Sequence, residues 1–360
     1  MRRRQFLLRS AAVSALIAAP VSLRAAYAPA STEWRRFELK TRVTLDRDGA
    51  SAQAWIPVPA HADPLWTIPG DTTWTGNADT VKQVMSEDGS HGFIHATWDA
   101  SDTPAVLEVT SDVRTRDRHS GLSGTAALSE EERARATTPT ELLPLNGIVL
   151  DTANEITDGA DNDLDKAKRI YNWVVDETER NPETRGCGLG DIASMLHTGD
   201  LTGKCADLNA LFVGLARAAG LPARDLYGIR VAPSAFGYKA LGAGSADVTK
   251  AQHCRAEVFI DGHGWVAADP ADVRKVVLQE DDGTLSLSDA KVQDVRDALF
   301  GAAEGNWIAL GTAHDVSLPG SDNGPVPFLM YPQAEIGGER RDELDPANFT
   351  YTITTRELDA

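Results

Sequence analysis

The chain has 360 residues, 42% of them hydrophobic and 24% charged, with a formal net charge of −18 at pH 7. At roughly 100–200 residues per domain that length suits two domains, and the composition excludes a disordered chain or one that fills a membrane. So acidic a protein repels polyanions, which excludes nucleic acid as a partner.

The chain opens with Arg2-Arg3-Arg4-Gln5-Phe6-Leu7, an apolar stretch to about Val21 and small residues from Ala25 to Ala30. This is the plan of a secretory signal. Arg3-Arg4-x-Phe6-Leu7 resembles the twin-arginine export signal, which implies a periplasmic or secreted destination. Cleavage is expected within Ala26–Ala30. Removing residues 1–28 takes away five arginines and no acid, so the net charge moves from −18 to −23. No later stretch approaches the roughly 18 consecutive apolar residues of a membrane helix, so no span is expected once the signal is gone.

From Trp34 to about Arg118, apolar and polar residues alternate in short runs such as Phe37-Glu38-Leu39-Lys40-Thr41-Arg42-Val43. Asp48-Gly49, Pro57-Val58-Pro59 and Asp88-Gly89 interrupt them. The period of two with turn residues between predicts an N-terminal β-rich domain over residues 31–118, built as a β-sandwich. Residues 119–146 carry Gly121, Gly124, the charged run Glu130–Arg135, Pro139 and Pro144, the composition of a surface linker with a short helix.

Residues 147–280 read as a second, α+β domain. Ala167, Ile170, Tyr171, Val174 and Val175 recur at helical spacing behind Asp163 as N-cap. A second helix begins at Cys205, with Leu208, Leu211, Phe212, Leu215 and Ala219 as its apolar stripe, Gly220 as its stop and Pro222 beyond. Strands follow at Leu226–Val231, Arg255–Ile260 and Gly264–Ala268, the last two joined by Asp261-Gly262-His263-Gly264. In the extension over 281–360, Phe328–Tyr331 and Phe349–Thr354 alternate again, and these strands are expected to complete one of the sheets.

A thiol at a helix N-terminus faces unsatisfied backbone N–H groups and the positive end of the helix dipole, both of which favour thiolate. Cys205 is therefore the candidate nucleophile, with its own amide as the first oxyanion donor and the Gly199–Lys204 loop before it. Taken alone, such a cysteine is more often an inert packed residue, so its partners decide. His253 as base and Asp269 as the carboxylate that orients it follow in the order used by several thiol enzymes. A two-residue turn at Gly262-His263 would set Asp269 opposite Ala256, on the wrong face for His253, so this reading requires a bulge or an irregular strand start near residues 253–255.

Gly203-Lys204-Cys205-Ala206-Asp207, Arg217-Ala218-Ala219-Gly220-Leu221-Pro222, His253-x-x-Ala256-Glu257-Val258 and Gly264-Trp265-Val266-x-x-Asp269-Pro270 together resemble the core of the transglutaminase-like superfamily, over residues 145–280. The resemblance implies a papain-like fold, with the cysteine-bearing helix packed on an antiparallel sheet. Catalysis by Cys205, His253 and Asp269 is implied with it. The expected reaction is acyl transfer from peptide or glutamine-type amides through a thioester, more in the manner of a protease or amidase than of a cross-linking enzyme. The expected partner is a protein or peptide substrate of the cell envelope.

Lys204, Arg255 and Trp265 are the candidate substrate-binding residues. Arg255 stands where many members of the family have tryptophan. With Arg274 and Lys275 it is a candidate carboxylate binder, against the plainer reading of an internal ion pair. Asp207 and Asn209 are read as structural residues of the first helical turn. Cys187 and Cys254 are read either as a disulfide or as buried free thiols. No HExxH, CxxC pair, complete EF-hand loop or dinucleotide loop occurs, so neither metal nor cofactor is expected. The rival reading is a catalytically silent binding or envelope-assembly module of the same fold.

Overall fold

The computed structural model describes residues 26–119 and 126–359. Residues 1–25 of the expected export signal and 120–125 of the expected linker lie outside the described residues. Within the cleavage window, Tyr27 is buried, its ring edge-on to Phe236 at 5.1 Å and Tyr238 at 5.3 Å. A cut after Ala28 or Ala30 removes that packed aromatic, and a cut after Ala26 keeps it. Among the described residues no helix is long and apolar enough to cross a membrane.

Six strands come first: β1 (Arg35–Leu45), β2 (Ala52–Pro57), β3 (Thr67–Gly76), β4 (Thr80–Met85), β5 (Gly92–Trp98) and β6 (Ala105–Thr115). Their alternation sorts them into a sandwich. One sheet has the order Thr350–Leu358, β1, β6, β3, and the other Glu339–Arg340, Gln333–Ile336, β2, β5, β4. In β1, Phe37, Leu39, Thr41, Val43 and Leu45 point inward, while Arg36, Lys40 and Arg42 face outward to pair with Asp112 and Glu108. The facing residues Leu45, Ile56, Ile94, Trp98, Leu107 and Phe349 form one apolar core between the sheets. Of the two expected tail strands, Phe349–Thr354 overlaps Thr350–Leu358 and completes a sandwich sheet, but Phe328–Tyr331 does not: Val326–Phe328 pairs with His314–Val316 in a separate two-stranded sheet, and the chain joins the sandwich after it, at Gln333–Ile336.

The α-helices among the described residues are α1 (Glu130–Thr137), α2 (Ile148–Thr157), α3 (Asp163–Glu177), α4 (Ile192–Thr198), α5 (Cys205–Ala218), α6 (Pro270–Gln279) and α7 (Ala290–Ala298). Asn162, not Asp163, caps α3, accepting a bond from the Asp165 amide at 3.0 Å. The sequence does not announce α2, because it buries only Val149 and Ala153 and opens on Gly147 without a side-chain cap. The central sheet has the antiparallel order Gly264–Ala268, Gln252–Ile260, Ala223–Arg230, Trp307–Gly311, so its fourth strand comes from beyond residue 280. Helix α5 packs on this sheet: Leu208, Leu211, Phe212 and Leu215 share one core with Cys254, Ala256, Val258 and Val266. Burying each of those large side chains contributes about 1.5–3 kcal/mol. Ala219 ends α5, and Gly220 takes φ +85°, where a Cβ would be strained.

The expected bulge near His253 does not occur. Ile260 pairs with Gly264 and Ala256 with Ala268, so Asp261, Gly262 and His263 form a three-residue turn rather than a two-residue one. Gly262 at φ +80° and Gly264 at φ +87° make that turn possible. The extra residue moves Asp269 to a position across from Arg255. It then has the same parity as His253, and a regular strand suffices.

Candidate active site

Cys205 occupies the first turn of α5 and is buried. The loop before it is held from inside the helix: Asp207 accepts the amides of Leu189 and Gly190 at 3.0 Å each and of Lys204 at 2.9 Å. The Ala206 amide is spent on the Cys187 carbonyl at 2.9 Å. The Cys205 amide, at the first helical position, has no intrahelical acceptor. Gly188, at φ +92°, lies so close that a Cβ there would stand 1.8 Å from Asp207, so the glycine is a packing requirement of this loop.

His253 Nε2 stands 2.7 Å from Asp269 Oδ2 and 3.3 Å from Asp272 Oδ2, leaving Nδ1 as the ring nitrogen for the thiol of Cys205, which lines the same cleft. Asp269 is the N-cap of α6, followed by Pro270. Its Oδ1 accepts the Asp272 amide at 3.1 Å and Asn209 Nδ2 at 3.2 Å, so both carboxylate oxygens are committed and its orientation is set. Asn209 also donates to the Cys254 carbonyl at 2.8 Å, tying α5 to the histidine strand. Trp307 Nε1 donates to the His253 carbonyl at 3.0 Å. The guanidinium of Arg230 grips both oxygens of Asp272, at 2.6 and 2.8 Å.

These contacts set the proton balance. Burial and Arg230 push His253 down, but Asp272 and Asp269 outweigh them and raise it from 6.5 to about 9. Cys205 lies well below the usual thiol range: bonds from the thiols of Cys187 and Cys254 and then from His253, with its charge, outweigh burial. Cys187 is raised, chiefly through its bond to Cys205, and Cys254 chiefly by burial. Both shifts favour a thiolate–imidazolium pair over the neutral thiol and imidazole. Asp272 stays ionised because Arg230 and His253 overcome its burial.

Cys187, Cys205 and Cys254 are all free and buried, so of the two readings of Cys187 and Cys254 the free thiols hold. His253, Asp269 and Asp272 are the one group of metal-ligating side chains, among the described residues, whose donor atoms lie within 4.8 Å of one another. Arg230 already occupies Asp272, and Asn209 with the α6 amide occupies Asp269, so the donor set does not fit a cation.

A cleft of about 610 Å³ opens over the pair, lined among others by Lys204, Cys205, His253, Lys275, Tyr331 and Tyr351. Two of the three expected substrate residues are elsewhere. Arg255 is buried behind Asp269, with Nη1 on the Glu304 carbonyl at 3.0 Å and its guanidinium 4.7 Å from the Trp307 ring centre. Trp265 packs edge-on to Phe259 and stacks beneath Arg224 at 3.8 Å. Cys254, Ala256, Val258 and Ile260 join the core with α5, and Arg255, Glu257 and Phe259 lie on the opposite face; His253 shares their parity but sits beyond the Ala256–Ala268 end of the ladder, where its ring reaches Asp269. Arg274, the other expected partner, binds the Val175 carbonyl and Glu179, while Lys275 does reach the cleft.

Asn209, Arg230, Asp272 and Trp307 are site residues that the sequence reading did not assign. Asp272 had a signal, as the third residue after an N-cap aspartate and proline. Asn209 lies one turn along α5 from Cys205, but its inward aim is a tertiary fact. Arg230 and Trp307 carry no local signal.

The transglutaminase-like superfamily matches residues 150–270, the stretch that holds all three candidate catalytic residues. A protein of unassigned role from Haemophilus influenzae is 34% identical over 326 residues, spanning 84% of this chain and 86% of its own. A crystal structure of a candidate cysteine protease from Cytophaga hutchinsonii superposes with a TM-score of 0.57 at 13% identity, covering 92% of this chain and 93% of that one. At that identity the likeness bears on the fold. The periplasmic domain of TgpA from Pseudomonas aeruginosa is more distant, at TM-score 0.36, 14% identity and coverage of 69% and 91%. The chain belongs to the transglutaminase-like superfamily, a family of cysteine-dependent enzymes.

Proposed function

We propose that this protein is an exported, cysteine-dependent acyl-transfer enzyme that opens peptide or glutamine-type amide bonds through a thioester, with hydrolysis as its usual outcome. The observation that carries this reading is the placement of Cys205, at the start of α5, in one cleft with His253, whose Nε2 is held 2.7 Å from Asp269. Cys205 Sγ attacks the amide carbonyl, and the developing oxyanion turns to the free amide of Cys205. As the C–N bond breaks, His253 gives its proton to the leaving amine. Water, deprotonated by the now neutral His253, then attacks the thioester, and the C–S bond breaks to release the acid and the Cys205 thiolate beside a protonated His253. Export rests on the sequence signal alone.

Hydrolysis is favoured over cross-linking by the charge of the cleft. Arg180, Arg185, Lys204, Arg230, Lys250 and Lys275 line it against Asp247 and Glu343. A protonated lysine acceptor is repelled there, and water is not.

Amine release from short amide substrates tests the reading. Cys205→Ala is expected to lower turnover by about three orders of magnitude or more, and added primary amine is expected to leave the hydrolysis product dominant. Turnover that survives Cys205→Ala refutes the role of the thiol, and a dominant amine adduct refutes the preference for water.

A further inference from the structure

The cleft is cationic in a protein that is otherwise strongly acidic. Of its six basic residues, Arg230 is neutralised by Asp272 and Arg185 by Asp342. Arg180, Lys204, Lys250 and Lys275 have no carboxylate within ion-pair distance among the described residues. Two of these flank the thiol and are partly withdrawn from water. Arg180 pairs its backbone with Gly203, beside the loop that leads into Cys205, and its Nε and Nη1 are buried without a hydrogen-bond partner. Lys275 lies six residues after Asp269 on α6, and its electrostatic neighbours include Arg180, Arg230, Asp272 and Cys205.

Unpaired cations held together in a partly dehydrated cleft cost free energy, because each repels the other and gives up hydration. The cost shows in Lys275, whose ammonium is pushed down from 10.5 to about 8, by burial first and Arg230 next. Asp272 and then the Cys205 thiolate offset part of this, and Asp247 and Glu343 are the acids that line the cleft against its four unpaired cations. A substrate carboxylate meeting Arg180 and Lys275 supplies the missing charge and charge-assisted hydrogen bonds to the idle guanidinium nitrogens.

We propose that Arg180 and Lys275 form an anion subsite, so that the enzyme selects acidic acyl donors: peptides bearing a carboxylate within one or two residues of the amide attacked by Cys205. This rests on Cys205 being the nucleophile. Lys204 and Lys250 line the same cleft and add to its field. The carboxylate is supplied either by an Asp or Glu side chain or by a free chain terminus.

The probes are iodoacetate and iodoacetamide, two alkylating agents that differ by one carboxylate, used on the whole protein with mass-spectrometric readout of the Cys205 peptide. Dividing the first rate by the second removes any change in thiolate fraction, since both reagents sense it equally. The ratio is expected to exceed that of free cysteine and to fall about tenfold in Arg180→Gln and in Lys275→Met, the value of one charge-assisted contact. Lys275→Arg is expected to restore it, which separates charge from fold. A ratio unchanged by both charge removals overturns the subsite while a fast iodoacetamide reaction preserves the nucleophile. An iodoacetamide rate like that of an ordinary thiol overturns both. Protection of Cys205 by peptides then distinguishes the sources: blocked-end peptides containing Glu protect if the side chain is read, and neutral peptides with a free C-terminus protect if the terminus is read. Equal protection by neutral blocked peptides counts against the proposal.

Discussion

His253 governs how the proposed reaction depends on pH. Its value of about 9 means that the leaving amine finds a proton donor through neutral pH and loses it above that point. The rate constant kcat/KM is expected to fall about tenfold per unit above pH 9 and to hold level down to the lowered value of Cys205. A pH–rate profile that already declines near 6.5, the ordinary histidine value, contradicts the bracing of His253 by Asp269 and Asp272. The same shift bears on stability. A histidine raised from 6.5 to about 9 on folding contributes stability that is full below pH 6.5 and lost as pH rises through 9. The site was legible at this scale where residues sit at element ends: a cysteine opening a helix and an aspartate closing a hairpin announce themselves. Arg230 and Trp307 did not, because their roles depend on strands brought together from distant parts of the chain.

The Gln252–Ile260 strand does separate work on its two faces. Toward α5 it buries Cys254, Ala256 and Val258. On the other face the carboxylate of Glu257 is fully buried between Arg224 at 2.6 Å and Arg118 at 2.7 Å. Burial pushes Glu257 up, but the two arginines outweigh it and hold it at about 2. Its contribution is complete above pH 4.5 and is lost as pH falls toward 2. Glu257→Gln leaves the buried Arg118 facing a neutral amide, while the half-buried Arg224 keeps Glu132 at 3.3 Å, and is expected to cost about 3 kcal/mol. Urea unfolding at pH 7 measures it, and a loss under about 1 kcal/mol would show that water or another acid replaces the carboxylate. This strand also shows where reading by position misled. Arg255 and Trp265 flank the triad in sequence, yet alternation turns them to the face away from α5. The hairpin error had a single source, a turn longer by one residue, and that residue restored the parity that a bulge was invoked to supply.

Across the whole molecule, β1 joins two cores. Phe37 and Leu39 pack with the helices and central sheet, while Val43 and Leu45 pack inside the sandwich. Thr350–Leu358 pairs with β1 from Arg36 to Thr44, and Phe349 to Tyr351 form part of the cleft wall. Deleting residues 350–360 is therefore expected to abolish both a cooperative thermal transition and fast alkylation of Cys205. Circular dichroism and labelling measure the two, and a truncated protein that keeps both would show the sandwich to be an accessory. The period-two patterns revealed both strands but not their pairing, since alternation identifies a buried face without naming its neighbour.

Arg35 and Glu357, paired across that last ladder, are 322 residues apart. A ribosome adding about 5–20 residues per second takes on the order of tens of seconds to travel between them. For that interval β1 lacks the partner that completes its sheet, and one wall of the cleft has yet to be made. From the addition of Cys205 until Phe349 to Tyr351 follow, the nascent chain carries its nucleophile without the enclosure that would put it to use, so the order of the elements acts as a clock on when reactivity begins.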